Sequence, residues 1–175
     1  MAHERPVETA FFRDDGRVPN SHLPVIIYRQ AIEARAPDMA AAIEQRFSAN
    51  RWTNSWRSGI YTFHHYHSTS HEVLGIARGS VKLRLGGESG RDFDLGVGDV
   101  VVLPAGTGHR RLSERGDLLV VGAYPDGRDW DLIRAEESDA AVHAAALKHI
   151  ADVPLPKLDP VHGAVGPVVE LWQSS

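Results

Sequence analysis

The chain contains no cysteine among its 175 residues. Disulfide bonds, thiolate metal sites and cysteine nucleophiles are therefore excluded, and so is the common structural zinc site that uses sulfur ligands. The common ligands that remain for a transition metal are histidine nitrogens and carboxylate oxygens.

A strong charge of either sign is also missing. The formal net charge is −4 at pH 7 and there is no basic run, so the sequence has no electrostatic footprint for nucleic acid or for a membrane surface. No apolar stretch approaches transmembrane length, and the N-terminal segment is too polar for a signal peptide. We therefore expect a cytoplasmic protein with neither a nucleic-acid nor a membrane partner.

The remaining composition is ordinary, with 42% hydrophobic and 24% charged residues, as in soluble globular proteins. The length suits one domain. We predict a single domain over residues 1–175, with a motif core at 59–124. N-terminal strands and a helix would precede it at 7–50, and a C-terminal helix with an extended tail would follow at 138–175.

Residues 59–124 consist of short apolar runs separated by glycine-containing turns. Apolar and basic side chains alternate between two faces in Val81–Leu85, and the uninterrupted run Val100–Leu103 is typical of a buried strand. Many short strands at regular spacing predict an all-β sandwich or barrel.

Two helices are predicted beside these strands. Pro37 and Asp38 open a helix over residues 37–49, since proline fits the first turn and an acidic group favours the positive end of the helix dipole. A second, alanine-rich helix is predicted over residues 138–150, with Ser138 as its expected N-cap.

Two histidines one residue apart are the first part of a predicted metal site. Because side chains alternate along a strand, a strand over Tyr61–His67 projects His65 and His67 from the same face. A turn at residues 68–70 would let the chain return antiparallel. That return would bring Glu72 beside the pair.

A third histidine, His109, follows the stiff turn Pro104–Gly108. Such a turn lets the backbone approach closely and fixes the direction of one side chain. Three imidazoles and one carboxylate form a ligand set for one divalent transition metal ion: iron, manganese, nickel or zinc. The alternative is an ordinary barrel lining with hydrogen-bonded imidazoles. It is disfavoured because a buried glutamate without a partner is energetically costly.

Nine positions have the spacing of the two cupin sequence motifs. The segment that resembles the first motif contains Gly59, His65, His67, Glu72 and Gly79. The segment that resembles the second contains Gly98, Pro104, Gly106 and His109. Ser113 stands where the second motif usually has asparagine, which is not a metal ligand. Four stretches are similar to the YjlB-like cupins in particular: Phe63–Ser68, His71–Gly75, Leu103–His109 and Val120–Pro125.

This resemblance implies a double-stranded β-helix (jelly-roll) barrel with two flanking α-helices, and a metal ion bound by the four residues proposed above. It also implies a homodimer, by analogy with many cupins, but it leaves the reaction open. We predict a metal-dependent enzyme of oxygenase, decarboxylase or isomerase type, acting on a small polar or anionic molecule. A non-catalytic metal-dependent binding or sensor protein is one alternative, and a metal-free epimerase-like cupin is another.

Several neighbouring side chains are weaker candidates. Tyr61 and Phe63 share the predicted ligand face, and Arg111 follows His109 at an even interval, so these three could line a pocket. His64 and His71 adjoin ligands but are expected to be solvated or to contact a ligand without binding metal. The four tryptophans are assigned no function: Trp52, Trp56, Trp130 and Trp172.

Overall fold

The computed structural model describes residues 6–173. The strands are β1 Glu8–Ala10, β2 Val25–Tyr28, β3 Trp52–Ser58, β4 His65–Tyr66, β5 Glu72–Leu85, β6 Arg91–Gly96, β7 Val100–Leu103, β8 His109–Pro125 and β9 Ile133–Arg134. The helices are α1 Met39–Ala49, α2 Ala140–Asp152 and α3 Pro167–Leu171, with a short 3₁₀ turn at Ala135–Glu137.

The strands form a curled antiparallel sheet in the order β1-β2-β7-β5-β8-β4-β9, with β3 paired to β8 and β6 paired to β5. Strands β5 and β8 run side by side through most of their length, and their register shifts at several bulges. Bulges bend a strand and increase its twist. The two long strands therefore fold over, and the predicted all-β jelly roll is confirmed.

Apolar side chains are buried on both faces of the central strands. On one face Leu74 and Ile76 of β5 lie in the barrel interior. On the other face Val73 packs against a cluster that includes Ile43 and Phe47 of α1. Burial on both faces explains why β7 is a continuous apolar run rather than an alternating one.

The helix predictions hold with two corrections. Helix α1 begins after Asp38, whose side chain accepts a hydrogen bond from the Ala41 amide. Helix α2 is capped by Asp139 and not by Ser138, because the Ser138 hydroxyl is occupied by Tyr66 and the Arg17 carbonyl. The C-terminal segment was expected to be extended, yet it contains α3.

Among residues 6–173, no helix is long and apolar enough to cross a bilayer. Part of the N-terminal segment used to predict location, residues 1–5, lies outside the described residues. The cytoplasmic location, the homodimer and the single domain over residues 1–175 all stay predictions.

Candidate metal centre

The three histidines of the predicted site are all buried, and each has one ring nitrogen committed to the backbone. The Nδ1–H groups donate to carbonyl oxygens: His65 to Phe63 at 3.1 Å, His109 to Thr107 at 3.0 Å, and His67 to Asp131. These bonds fix the tautomer and the ring orientation. The Nε2 lone pair of each imidazole is left free as an acceptor.

These free nitrogens converge. The ligand atoms that the three histidines offer lie within 4.8 Å of one another. The Glu72 carboxylate closes the group, with Oε2 at 3.4 Å from His67 Nε2 and Oε1 at 3.3 Å from His109 Nε2. With the three imidazoles neutral, three acceptors and one carboxylate thus face each other without a donor among them. This donor set fits a metal cation, and the three buried histidines could hold one.

Glu72 is the anionic member of this group. Burial alone would raise the pKa of Glu72, but the adjoining His67 and His109 imidazoles lower it below its usual range. Burial lowers the pKa of His65. For His67 burial also acts to lower the pKa, but the Glu72 carboxylate outweighs it and the pKa is raised. The carboxylate therefore remains ionised beside the imidazoles.

Glu72 is also oriented by a chain of two further side chains. The Tyr124 hydroxyl donates to Glu72 Oε2 at 2.9 Å, and Trp56 Nε1 donates to that hydroxyl at 2.8 Å. Burial and the Glu72 charge raise the pKa of Tyr124 above its usual range, so the phenol keeps its proton. One carboxylate oxygen is thereby occupied by Tyr124, and Oε1 is the freer of the two.

The sheet brings these side chains together by a route that differs from the predicted one. Strand β4 pairs with β8 and β9, so residues 68–71 do not form a hairpin with β5. His65 instead lies directly opposite His109, and β8 separates β4 from the strand that carries Glu72. The segment Tyr61–His67 is a strand only at its end, over His65–Tyr66.

A cavity of about 350 Å³ opens onto the group. Besides the four candidate ligands it is lined by Ser58, Gly59 and six apolar or aromatic residues: Trp56, Ile60, Tyr61, Leu74, Tyr124 and Trp130. Ligand pockets of this size are typically apolar with a few placed polar groups. The cavity can therefore admit a small molecule to the free side of the histidine cluster.

Of the three suggested pocket residues, only Tyr61 is in this lining. Phe63 stacks beneath Tyr61 with ring centroids 4.7 Å apart, and it contributes to a different surface depression. The Arg111 guanidinium forms an ion pair with Glu114 at 2.7 Å.

His64 and His71 are buried rather than solvated, and neither belongs to the histidine cluster. His64 Nε2 accepts from the Gly87 amide at 2.9 Å, and His71 Nδ1 accepts from the Ala105 amide at 2.8 Å. Burial lowers the pKa of His64 to about 4 and that of His71 to about 3. Both rings are therefore neutral structural acceptors near neutral pH.

Trp56, Tyr124 and Trp130 form much of the cavity, although no role was predicted for any of them from the sequence. Trp56 follows a register shift between Thr53 and Trp56 in the β3–β8 pairing, so strand alternation could not place it. A signal existed for Tyr124, which ends the apolar run Leu118–Ala123 at the edge of the motif core.

Comparison with known proteins shows one near full-length relative. The sequence is 38% identical over 170 residues to the uncharacterized protein YjlB of Bacillus subtilis strain 168, which covers 97% of this chain and 98% of that protein. No protein-family model matches the chain.

Similarity to solved structures is more distant. A variant of oxalate decarboxylase from Bacillus subtilis is 18% identical with a TM-score of 0.38, over 67% of this chain and 29% of that one. Vicilin from tomato, Solanum lycopersicum, is 17% identical with a TM-score of 0.38, over 67% of this chain and 31% of that one. A DUF861 family protein from Thermotoga maritima is 21% identical with a TM-score of 0.31, over 45% and 83%. This chain thus spans less than a third of the decarboxylase and vicilin chains.

Proposed function

The chain belongs to the YjlB family of cupins, and we propose that it is a metal-dependent enzyme that acts on a small molecule bound in the aromatic cavity. The proposed ligands of one divalent ion (iron, manganese, nickel or zinc) are His65, His67, Glu72 and His109. The observation that carries the proposal is the fixed tautomer of the three imidazoles, whose Nδ1–H groups all donate to backbone carbonyls. Metal-binding histidines typically donate their other ring N–H in this way, which leaves one nitrogen of each ring free to bind the cation.

When bound, such an ion supplies Lewis-acid or redox chemistry and leaves coordination positions open beside its four protein ligands. The protein's own side chains set the surroundings. Tyr124 holds Glu72 through one oxygen, and Leu74 and Ile60 keep one wall of the cavity apolar. An apolar wall limits water near the reacting groups and strengthens electrostatic interactions there. A reaction of oxygenase, decarboxylase or isomerase type fits this environment.

A non-catalytic binding or sensor protein is the second candidate, because the described lining of the cavity holds no carboxylate, lysine or imidazole beyond the proposed ligands. In the described part of the chain, the titratable groups that line it are the proposed ligands, Tyr61 and Tyr124, and the Tyr124 hydroxyl is already bonded to Glu72. The two candidates differ in turnover, since a binding protein would hold its ligand without product formation or O₂ uptake. A metal-free epimerase is disfavoured, because it would need a free base and a broken ligand set.

Protein purified without a nickel column should contain about one equivalent of a divalent transition metal per chain, as measured by inductively coupled plasma mass spectrometry. Removal of the ion with a chelator should lower the melting temperature, and its return should restore it, because a ligand that binds only the folded state stabilises that state. Protein that holds no metal and shows no shift in melting temperature with any of the four ions would overturn the proposed function.

Tyr124→Phe should weaken metal binding by roughly 10- to 100-fold, the range observed when a group that orients a ligand is removed. The lost hydroxyl is the one that holds Glu72 Oε2, while the ring and its packing remain. The measurement is a competition titration against a chelator of known affinity.

Tyr66→Phe is the matched control, because Tyr66 is equally buried but its hydroxyl pairs with Ser138. It should leave the metal affinity unchanged. Equal affinities in the two variants would show that Tyr124 does not position Glu72.

A further inference from the structure

The walls of the cavity beside the histidine cluster are largely aromatic, and several of the rings contact one another. The rings of Tyr124 and Trp130 are nearly parallel, with centroids 5.6 Å apart and an interplanar angle of 20°. Trp130 also meets the His67 ring at 5.1 Å. Trp56 lies so close to Gly122 that a Cβ there would be 2.2 Å from its indole ring. The position of Trp56 thus depends on glycine at residue 122. Aromatic rings in such a wall favour contact with a flat, apolar neighbour.

The same cavity contains no cationic side chain among its described lining residues. The nearby guanidinium groups are already engaged: Arg111 pairs with Glu114 at 2.7 Å, and Arg134 lies 3.9 Å above the Phe63 ring. A ligand with anionic groups beyond those that reach the metal would leave them unpaired, which is unfavourable in an apolar site. Sugars rich in hydroxyl groups would find few partners for the same reason.

The mouth of the cavity is lined by two aromatic rings that are unusually exposed. Tyr61 is 51% exposed and Trp130 is 39% exposed. Tyr61 stands edge-on to His65 at 5.3 Å, and Trp130 stands edge-on to His67. Both rings line the cavity and adjoin the histidine cluster, so a molecule bound there could cover apolar area against either of them.

We infer that the ligand is a flat, apolar-bodied molecule with two adjacent oxygen donors, such as an aromatic 1,2-diol, and that Trp130 and Tyr61 select it. The inference rests on the proposed metal centre, because the oxygen pair would occupy the open coordination positions. The sequence predicted a small polar or anionic substrate. The inference restricts that class to molecules with one polar end and an apolar body.

The test uses zinc-loaded protein, in which the probe cannot be oxidised by the metal. Nitrocatechol and oxalate are titrated separately by calorimetry, one a flat aromatic chelator and the other a small dianion without an apolar body. Because the two probes differ in intrinsic affinity for zinc, the quantity compared is the change that each variant causes for each probe. Metal content is measured after every titration to show that the probe has not removed the ion.

Trp130→Ala should weaken nitrocatechol binding by about 10-fold, the upper range of one aromatic contact, and should change oxalate binding by less than about 2-fold. Trp130→Phe should recover most of the loss. Leu132→Ala is the control, because Leu132 is exposed nearby on the same segment but does not line the cavity; it should leave both affinities unchanged.

Equal loss of both probes, or no loss of nitrocatechol binding in Trp130→Ala, would overturn the inference while leaving the metal centre intact. Nitrocatechol binding that persists unchanged after removal of the zinc would overturn the inference and contradict the proposed function as well. The two failures are therefore distinguishable.

Discussion

His109→Ala should lose most of its metal during dialysis. Removing a group that only orients a ligand lowers metal affinity by up to roughly 100-fold, and loss of the ligand itself should lower it by more. His109 begins strand β8, lies opposite His65 in the sheet and places Nε2 3.3 Å from Glu72. Its removal deletes one of the converging acceptors and opens that side of the cluster to water. Metal content per folded chain and a chelator competition titration measure the effect.

The matched control is His64→Gln, which changes another buried histidine, the one that precedes His65 in the sequence. His64 accepts a hydrogen bond from the Gly87 amide, and a glutamine carbonyl can take over that role. This variant should keep its full metal content. Comparable metal retention in His109→Ala and His64→Gln would mean that the wrong nitrogens have been chosen, whereas comparable loss would point to a general folding defect.

The three histidines could be proposed as ligands from the sequence because their spacing and the turn before His109 leave a local pattern. His65 and His67 are two residues apart, and His109 follows a tight turn in which Gly106 has a positive φ of 96°. A Cβ at Gly106 would lie 2.5 Å from the Asn20 carbonyl oxygen. Both the backbone conformation and the lack of space thus require glycine at position 106. A requirement of this kind can be recognised in the sequence, because the residue itself is a glycine.

The path of the chain between the ligands was less predictable. The expected hairpin after His67 assumed that consecutive strands pair, which is common but not general. Here the Asp131 side chain accepts hydrogen bonds from the Ser68 and Thr69 amides. Because a residue more than 60 positions away accepts from these two amides, the segment after His67 is held in place without pairing with β5. A contact of that sequence separation leaves no local pattern.

The cavity walls depend on contacts of the same kind. Trp56 comes from β3, whose bulge breaks the alternation of side chains, and Trp130 comes from an irregular segment before β9. Composition alone made both resemble packing residues. Only the fold shows that they face the histidine cluster, and for this reason substrate preference could not be read from the motifs.

The C-terminal segment shows a similar dependence on one long-range partner. Asp159 is fully buried, and its carboxylate accepts hydrogen bonds from the Val161, His162 and Val168 amides. Its fourth partner is the Tyr28 hydroxyl of β2. Through this carboxylate the segment that contains α3 is attached to the sheet face opposite the barrel interior, where Val161 and Val168 join the outer apolar cluster.

Asp159→Ala should therefore lower the free energy of unfolding by roughly 3–5 kcal/mol, because it leaves several buried donors without an acceptor. For a chain of this size, that loss corresponds to a decrease in melting temperature of about 10 °C. Tyr28→Phe removes only one donor and should lose about 1–2 kcal/mol. Denaturant titration and calorimetry on the metal-loaded protein measure both values.

Asp152→Ala is the control for charge and composition, because Asp152 ends α2 and is exposed; it should change stability by less than about 0.5 kcal/mol. The metal content per folded chain should stay unchanged in all three variants, since Asp159 acts on the opposite face of the sheet from the histidine cluster. A stability loss in Asp159→Ala no larger than that in Asp152→Ala would show that the carboxylate does not hold the C-terminal segment. The attachment would then rest on apolar packing by residues such as Trp172, whose indole donates to the Pro24 carbonyl at 2.8 Å.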